Sequence, residues 1–280
     1  MSILLRKISK KLKDNHIEDY DFEAKIIISH FSALSHGEIL FKDEADFCPQ
    51  TISDIDRAVD ERISGVPVQY IIGQWDFYES TFKVGEGVLI PRPETELLCE
   101  YVISAAESYR DCVIYDLCSG SGCIGISIKK ALPGCNVFLV EKSEKAYSYL
   151  KENVRNILDG CEISAIKGDI FDFDSFGNYP SADIIVSNPP YIRRDELPSL
   201  QKEVQKEPSM ALNGGDDGLD FYRFIVSRWK SKLRDNGIIA FECGENQAED
   251  ISQIFTENGF DCEIRQDYNH INRFVIGRKN

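Results

Sequence analysis

Histidine and paired thiols are what this 280-residue chain has least of. Its four histidines, at positions 16, 30, 36 and 270, fall at no spacing that would gather metal ligands, so no metal site is expected. The nine cysteines include no Cys-x-x-Cys pair, and several sit inside apolar runs, as small buried hydrophobes do. With no signal peptide, they read as reduced thiols of a cytoplasmic protein. No apolar run reaches membrane-spanning length, so no membrane partner is expected. Positive charge is short as well: 32 Lys and Arg against 47 Asp and Glu leave a formal net charge of −15. That balance argues against broad contacts to nucleic-acid phosphates. The densest basic cluster, Arg6, Lys7, Lys10, Lys11 and Lys13, reads as a solvated helix face. No internal repeat or low-complexity tract interrupts the chain. What is present is ordinary: 42% hydrophobic and 28% charged residues, enough for one large globular domain and a small one.

The patterning divides the chain in three. Residues 1–65 carry helical spacing: Ile3, Leu4, Leu5, Ile8 and Leu12, then Phe22, Ala24, Ile27, Ile28 and Phe31. A third helix is expected from an N-cap at Ser53 through Ile55, Ala58, Val59 and Ile63. Residues 66–91 hold two β-rich runs around a polar break, which suggests a hairpin bridging the flanking domains. From 92 onward a helix opens at Arg92-Pro93-Glu94-Thr95-Glu96, and strands then alternate with helices, the pattern of a doubly wound, mostly parallel sheet. Strands are expected at 112–117, 136–140, 161–166 with 168–170, 182–187 and 237–242. A helix is expected over 219–233, and a terminal antiparallel hairpin at 260–264 and 274–276.

Two stretches carry chemistry. In Ala182-Asp-Ile-Ile-Val-Ser-Asn-Pro-Pro-Tyr191 a buried strand runs into two prolines, which lack N–H groups and hold φ near −65°. The result is a stiff polar corner at the carboxyl end of a strand, where open α/β sheets bind ligands. The Asn188 side-chain oxygen and the Pro189 carbonyl could accept both hydrogens of a planar –NH2 group, with Tyr191 packed on its plane. Four residues alone also fit a loop that merely stops a strand. The second stretch, Asp116-Leu-Cys-Ser-Gly-Ser-Gly122, joins a strand to a helix. Glycines 120 and 122 permit a sharp turn and close ligand approach, and Glu141 ends the next strand, where a carboxylate can hold ribose hydroxyls. On this loop alone NAD and S-adenosylmethionine remain open, and Asp116 could either cap the loop's N–H groups or face a cofactor.

Taken together, the loop at 116–122, Glu141 and Ser187-Asn-Pro-Pro-Tyr191 resemble the motif series of class I S-adenosylmethionine-dependent methyltransferases that act on planar nitrogens. Further stretches narrow the resemblance: Pro67-Val-Gln-Tyr-Ile-Ile-Gly73, Leu89-Ile-Pro-Arg-Pro-Glu-Thr-Glu96, Glu207-Pro-x-x-Ala-Leu212, Gly214-Gly-x-Asp-Gly-Leu-Asp-Phe-Tyr222 and Asn272-Arg-Phe274. These are similar to the peptide chain release factor glutamine N5-methyltransferase family (PrmC/HemK), over almost the whole chain. The resemblance implies a Rossmann-like class I methyltransferase domain at 92–280, a β-hairpin linker at 66–91 and a helical substrate-recognition domain at 1–65. It implies S-adenosylmethionine as cofactor, S-adenosylhomocysteine as product, no metal, and class 1 release factors as the protein substrate, methylated on the glutamine of their Gly-Gly-Gln motif. By position, Cys118, Ser119, Gly120, Ser121 and Gly122 would line the methionine part, with Asp116 also among the cofactor-binding candidates. Glu141 would bind ribose, with Asp169 and Ile170 beside the adenine. Asn188, Pro189, Pro190 and Tyr191 would hold the glutamine, with Asn188 also beside the cofactor.

Two positions depart from the family pattern. Cys118 stands where the family usually has Gly, which the loop tolerates if φ stays negative. Ile170 stands where an aromatic can occur, so adenine would meet an aliphatic wall. The alternatives are a nucleic-acid amino methyltransferase, which the acidic composition disfavours, and a non-catalytic nucleotide-binding module, which leaves the Asn-Pro-Pro-Tyr corner unexplained. No motif places a His, Lys or Tyr as the acid of an NAD dehydrogenase.

Overall fold

The computed structural model describes residues 2–280 and divides them into two compact units. The smaller comprises residues up to 74 together with 201–206. Its helices are α1 (Ile3–Asp14), α2 (Tyr20–Ser32), α3 (Pro49–Ile63) and α4 (Val68–Ile72). Leu4, Leu5, Ile8 and Leu12 of α1 pack on Ala24, Ile27 and Ile28 of α2 and on Ile55, Ala58 and Val59 of α3. Ile3 and Phe22, counted above among the apolar positions, are instead exposed. Helix α3 begins four residues before the expected N-cap at Ser53. Pro49 occupies its first turn, where a missing N–H costs nothing, and the Cys48 sulfur accepts from the Thr51 N–H at 3.4 Å. Residues 201–206 join this unit through Arg62. Its buried guanidinium donates to Glu23 at 2.6 Å and to Glu203 at 2.8 Å.

The stretch 66–91 is not one hairpin. Val68–Ile72 forms α4, whose preset entry comes from Pro67 and whose exit is Gly73 at φ 71°. A short apolar run cannot by itself distinguish a strand from a buried helical turn, and here Val68 is buried among the helices. The hairpin is shorter, β1 (Gln74–Phe77) and β2 (Ser80–Lys83). Trp75, Val84 and Val88 from its two sides pack on Ala146 and Tyr149 of the larger unit, to which residues 75–200 and 207–280 belong.

The larger unit continues in order with α5 (Thr95–Ala106), β3 (Val113–Leu117), α6 (Cys123–Ala131), β4 (Asn136–Glu141), α7 (Glu144–Ile157), β5 (Ser164–Lys167) and β6 (Ala182–Ser187). It ends with α8 (Ser209–Leu212), α9 (Asp220–Arg228), β7 (Leu233–Glu242), α10 (Ala248–Glu257), β8 (Phe260–Gln266) and β9 (Asn272–Lys279). Seven strands form one sheet in the order β5-β4-β3-β6-β7-β9-β8, the first five parallel and β9 antiparallel to both of its neighbours. The final hairpin is thus present, but its second strand is inserted between β7 and the first. Several expected boundaries differ: β7 begins at Leu233 rather than 237, and β9 spans Asn272–Lys279 rather than 274–276. The strand near 161–170 ends at Lys167, leaving Gly168-Asp169-Ile170 in a loop, and the helix expected to Leu233 gives way to a 3-10 turn at Trp229–Lys232.

Every residue of β3 and β6 is buried, which is what a parallel sheet covered on both faces demands of its central strands. Ile114, Leu139, Ile184 and Val186 face Leu98, Val102, Ile124 and Ile128 on one side. Val113, Tyr115, Ile185 and Ile239 face Tyr222, Trp229 and Phe255 on the other. Gly125 lets α6 approach β4 closely: a Cβ there would overlap Leu139 Cδ2 and lie 3.1 Å from Asp116 Oδ2. Gly125→Ala is expected to lower unfolding free energy by about 1–3 kcal/mol through overpacking, measured by urea denaturation. A variant as stable as the parent would show that the helix can retreat without cost.

Candidate functional site

The loop after β3 is bent through three left-handed residues, Cys118 (φ 60°), Gly120 (φ 55°) and Gly122 (φ 83°). Ser119 fixes it: its N–H donates to the Val140 carbonyl at 3.0 Å and its hydroxyl to the Asp116 carbonyl at 2.7 Å. The tolerance expected for Cys118 rested on a negative φ, and the structure overturns that condition. A side chain in the left-handed region costs about 1–2 kcal/mol, which the bonds at Ser119 and the packing of the thiol against the sheet offset. A Cβ built at Gly122 would meet Ile126 Cδ1 at 2.8 Å, whereas one at Gly120 would meet no protein atom within 4 Å. Gly120 therefore faces open space.

That space is a cavity in the larger unit of about 980 Å³, its open mouth included. Among the sequence candidates, Cys118, Ser119, Gly120, Ser121, Glu141, Asp169, Ile170, Asn188 and Pro190 line it. Asp116, Gly122, Pro189 and Tyr191 are not among its lining residues. Asp116 is fully buried beneath the loop, its Oδ2 accepting from the Gly125 N–H at 3.0 Å while Oδ1 has no partner. Of the two roles open to it from sequence, the structure favours the structural one. Burial pushes its carboxyl up to about 7, opposed by the Gly125 hydrogen bond.

Glu141 ends β4 and is 8% exposed, its carboxylate held by the Gly120 N–H at 2.8 Å and the Ser143 N–H at 2.5 Å. Burial raises its pKa, and those backbone donors pull it back. Each oxygen keeps lone pairs free for a hydroxyl. Further along the wall, Asp169 pairs with Lys142 at 2.7 Å and accepts from the Phe171 N–H at 3.0 Å. Ile170 is buried, but its neighbour Phe171 is half-exposed at the mouth, packed on Phe221 and Phe224 with ring centroids 5.0 and 4.6 Å away. An aromatic is thus present one residue beyond the position considered in the sequence, visible there as the next letter.

The corner after β6 is braced from behind. The Ile192 N–H donates to the Leu212 carbonyl and the Gly214 N–H to the Ile192 carbonyl, at 2.9 and 2.8 Å. A Cβ at Gly214 would meet Tyr191 Cα at 2.7 Å, so only glycine lets that loop lie against the Pro190-Tyr191 backbone. Gln247 donates to the Tyr191 carbonyl at 2.9 Å, and burial pushes the Tyr191 hydroxyl up to about 12. The Asn188 Nδ2 donates to the Thr95 hydroxyl at 3.3 Å, which donates to the buried Glu242 at 2.5 Å. Glu207 accepts from the Ile90 N–H at 3.0 Å and from Arg92 at 2.5 Å, tying the 90–92 segment to the start of the 207–212 segment. Asn153, wholly buried, donates to the Ser121 carbonyl at 2.9 Å and holds the loop from the α7 side. Gln247 and Asn153 carry no motif signal, and spacing could not have singled them out. Among the described residues no cluster of His, Cys, Asp or Glu could hold a metal.

Two family models match the chain. The model described as PrmC N-terminal domain matches residues 4–73, and the methyltransferase small domain matches residues 94–215. A release factor glutamine methyltransferase of Thermodesulfovibrio yellowstonii is 38% identical over 263 residues, 92% of each chain. One of Clostridium acetobutylicum is 34% identical over 274 residues, 97% of this chain and 96% of its own. Among solved structures, the hMettl16 catalytic domain in complex with a MAT2A 3'UTR hairpin superposes with TM-score 0.54 at 14% identity, covering 70% of this chain and 75% of that one. The precorrin-6y C5,15-methyltransferase of Geobacter metallireducens gives 0.50 at 10%, covering 71% and 94%. These two structures share the fold.

The buried Asp116 has a stability consequence. Its carboxyl titrates near 7 when folded and near the usual 3.8 when unfolded, so the folded state holds a proton that the unfolded state has lost. Stability from this group is full below about pH 4 and declines as pH rises toward 7, by about 1.4 kcal/mol per unit of separation. Asp116→Asn, which keeps an oxygen for Gly125, is expected to flatten the urea-denaturation profile between about pH 4 and 7. An unchanged slope would mean the carboxyl is not desolvated.

Proposed function

The chain belongs to the release factor glutamine methyltransferase family, and on that premise we propose that it transfers a methyl group from S-adenosylmethionine to a glutamine side-chain amide nitrogen. The proposed glutamine lies in the Gly-Gly-Gln segment of class 1 peptide chain release factors. The observation that carries this reading is that Asn188 and the Cys118–Ser121 loop line the same cavity as Glu141. An acceptor for a planar amine thus shares one chamber with a cradle for a nucleoside.

The residues present fit the cofactor. Glu141 offers lone pairs to vicinal ribose hydroxyls. Ile170 and Asp169, with Phe171 at the mouth, suit a purine that needs an apolar wall and a polar edge. The turn through Cys118, Ser119, Gly120, Ser121 and Gly122, supported by Asp116 beneath, leaves backbone at Gly120 facing the cavity with no Cβ to block it. When bound, the cofactor supplies an activated methyl on a sulfonium centre. The chain's own residues then have three tasks: to align the nitrogen, to accept its hydrogens, and to exclude water.

A glutamine amide is a poor nucleophile because its lone pair is delocalised into the carbonyl. Accepting both N–H hydrogens, at Asn188 Oδ1 and the Pro189 carbonyl, concentrates electron density on nitrogen and stabilises positive charge developing there. Pro190 supplies no competing N–H, and with Tyr191 it stiffens the corner. The methylated nitrogen sheds one proton readily, so the reading requires no strong general base. Docking of the release factor on the helical residues 1–65 rests on the family alone. None of the described helices is long and apolar enough to cross a membrane, and the proposed compartment is the cytoplasm.

The decisive experiment incubates tritiated S-adenosylmethionine with purified release factors, with their Gly-Gly-Gln→Gly-Gly-Ala variants, and separately with DNA and rRNA. Label on the wild-type factor that vanishes with the Gln→Ala change is the expected result. Label confined to nucleic acid would overturn the protein substrate. Asn188→Ala is expected to cost about 2–4 kcal/mol of transition-state stabilisation, a roughly 10²–10³-fold loss of kcat, with cofactor affinity largely kept.

A further inference from the structure

The Thr95 hydroxyl lies between two groups that both compete for it, and the direction of its single hydrogen decides how Asn188 presents itself. Thr95 donates to Glu242 Oε2 at 2.5 Å, so it can offer Asn188 only a lone pair, and Asn188 answers with Nδ2 at 3.3 Å. With one Nδ2 hydrogen turned to Thr95, Oδ1 occupies the opposite edge of the amide. Thr95 is 2% exposed and Glu242 4% exposed, so no bulk water competes for either. Glu242 also sits in a fixed frame: it ends β7, and the Tyr222 hydroxyl donates to its backbone carbonyl at 2.8 Å.

We propose that Thr95 and Glu242 are positioning residues that lock the Asn188 amide with its oxygen toward the substrate nitrogen. This deepens the reading above and rests on it. The lock works in one protonation state. An ionised Glu242 takes the Thr95 hydrogen, and the chain of donors runs Asn188 to Thr95 to Glu242. A neutral Glu242 instead donates to Thr95, whose hydrogen then turns to Asn188. The amide must flip to accept it, presenting –NH2 to an incoming –NH2, donor against donor.

The groups that bear on Glu242 include the titratable neighbours Cys99 of α5, Cys123 of α6, Tyr191 after β6 and Cys243 beside it. Burial, the largest influence, raises its carboxyl to about 7. The Thr95 hydrogen bond from α5, Arg273 of β9 and Arg92 before α5 favour the charged form, and Glu94 opposes it. The productive orientation is therefore fullest above about pH 7 and is lost as pH falls through it.

The test has one arm that needs no substrate. In 15N spectra of the free protein, the Asn188 side-chain amide signals, assigned by their loss in Asn188→Asp, should move as pH crosses about 7. They should stay put in Thr95→Val. Signals that ignore pH in the parent would overturn the lock whatever the enzyme methylates.

The second arm is turnover with release factor. Thr95→Val, close in shape but without a hydroxyl, should lower kcat about 10–100-fold with KM and cofactor Kd within about 2-fold. Thr95→Ser should recover to within about 3-fold of the parent, and Glu242→Gln should match Thr95→Val without an acid limb in its pH profile. A Thr95→Val enzyme as active as the parent, a Thr95→Ser enzyme that stays impaired, or a parallel loss of cofactor affinity would each overturn the proposal. A parent that labels no glutamine but shows the spectral shift would overturn only the reading on which it rests.

Discussion

The site depends on one register. Strands β3 and β6 pair in parallel with Leu117 opposite Ser187, and the Ser187 hydroxyl donates to the Leu117 carbonyl at 2.6 Å with no exposure to water. That bond closes the two strands at the same level. The next residue on one is Cys118, which opens the loop, and on the other Asn188, which opens the corner. A one-residue slip would turn each strand's side chains to the opposite face and separate loop from corner. A third strand end is drawn in when Ser119 donates its N–H to Val140, which brings Glu141 beside Gly120. Loop, corner and acid converge because three parallel strands end level.

Three buried carboxyl groups stand around the chamber, of which Glu141 alone lines it. Asp116, Glu141 and Glu242 are all buried, and burial raises each of them. Their partners differ, and so do the uses to which they can be put. Asp116 holds a helix N–H from beneath the loop, Glu141 stands at the cavity wall with lone pairs to spare, and Glu242 governs a hydroxyl that governs an amide. Arg92 is neutralised by Glu207 and Lys142 by Asp169, so no bare cation lines that wall. A cavity of this kind suits a cationic sulfonium better than an anionic ligand.

Where sequence reasoning missed, the competing physics is identifiable. Val68–Ile72 has the composition of a strand, but it is five residues after a proline with an apolar helical surface waiting for Val68, and it coils. By sequence Cys118 suits its loop only on condition of a negative φ, yet it takes a positive one. It accepts it because the flanking bonds of Ser119 and the approach of Gly125 fix the loop's path before the side chain is consulted. Phe171 follows Ile170 directly, yet the two are buried to different extents. In the folded chain the two point to different duties, one into the core and one to the rim.

The sequence by itself determined a great deal: the α/β alternation, the loop at 116–122, the acid at 141 and the corner at 188–191. These are local signals, written in periodicity, in glycine and proline, and in the ends of strands. Tertiary structure alone decided the insertion of β9 between β7 and β8, the drawing of residues 201–206 into the helical unit, and the meeting of Thr95, Asn188 and Glu242. Those three residues stand 93 and 147 positions apart in the pairs that bond. Nothing in the neighbourhood of any one of them announces the others. A buried hydroxyl acquires its direction from the charge it faces, and only the packed sheet says which charge that is.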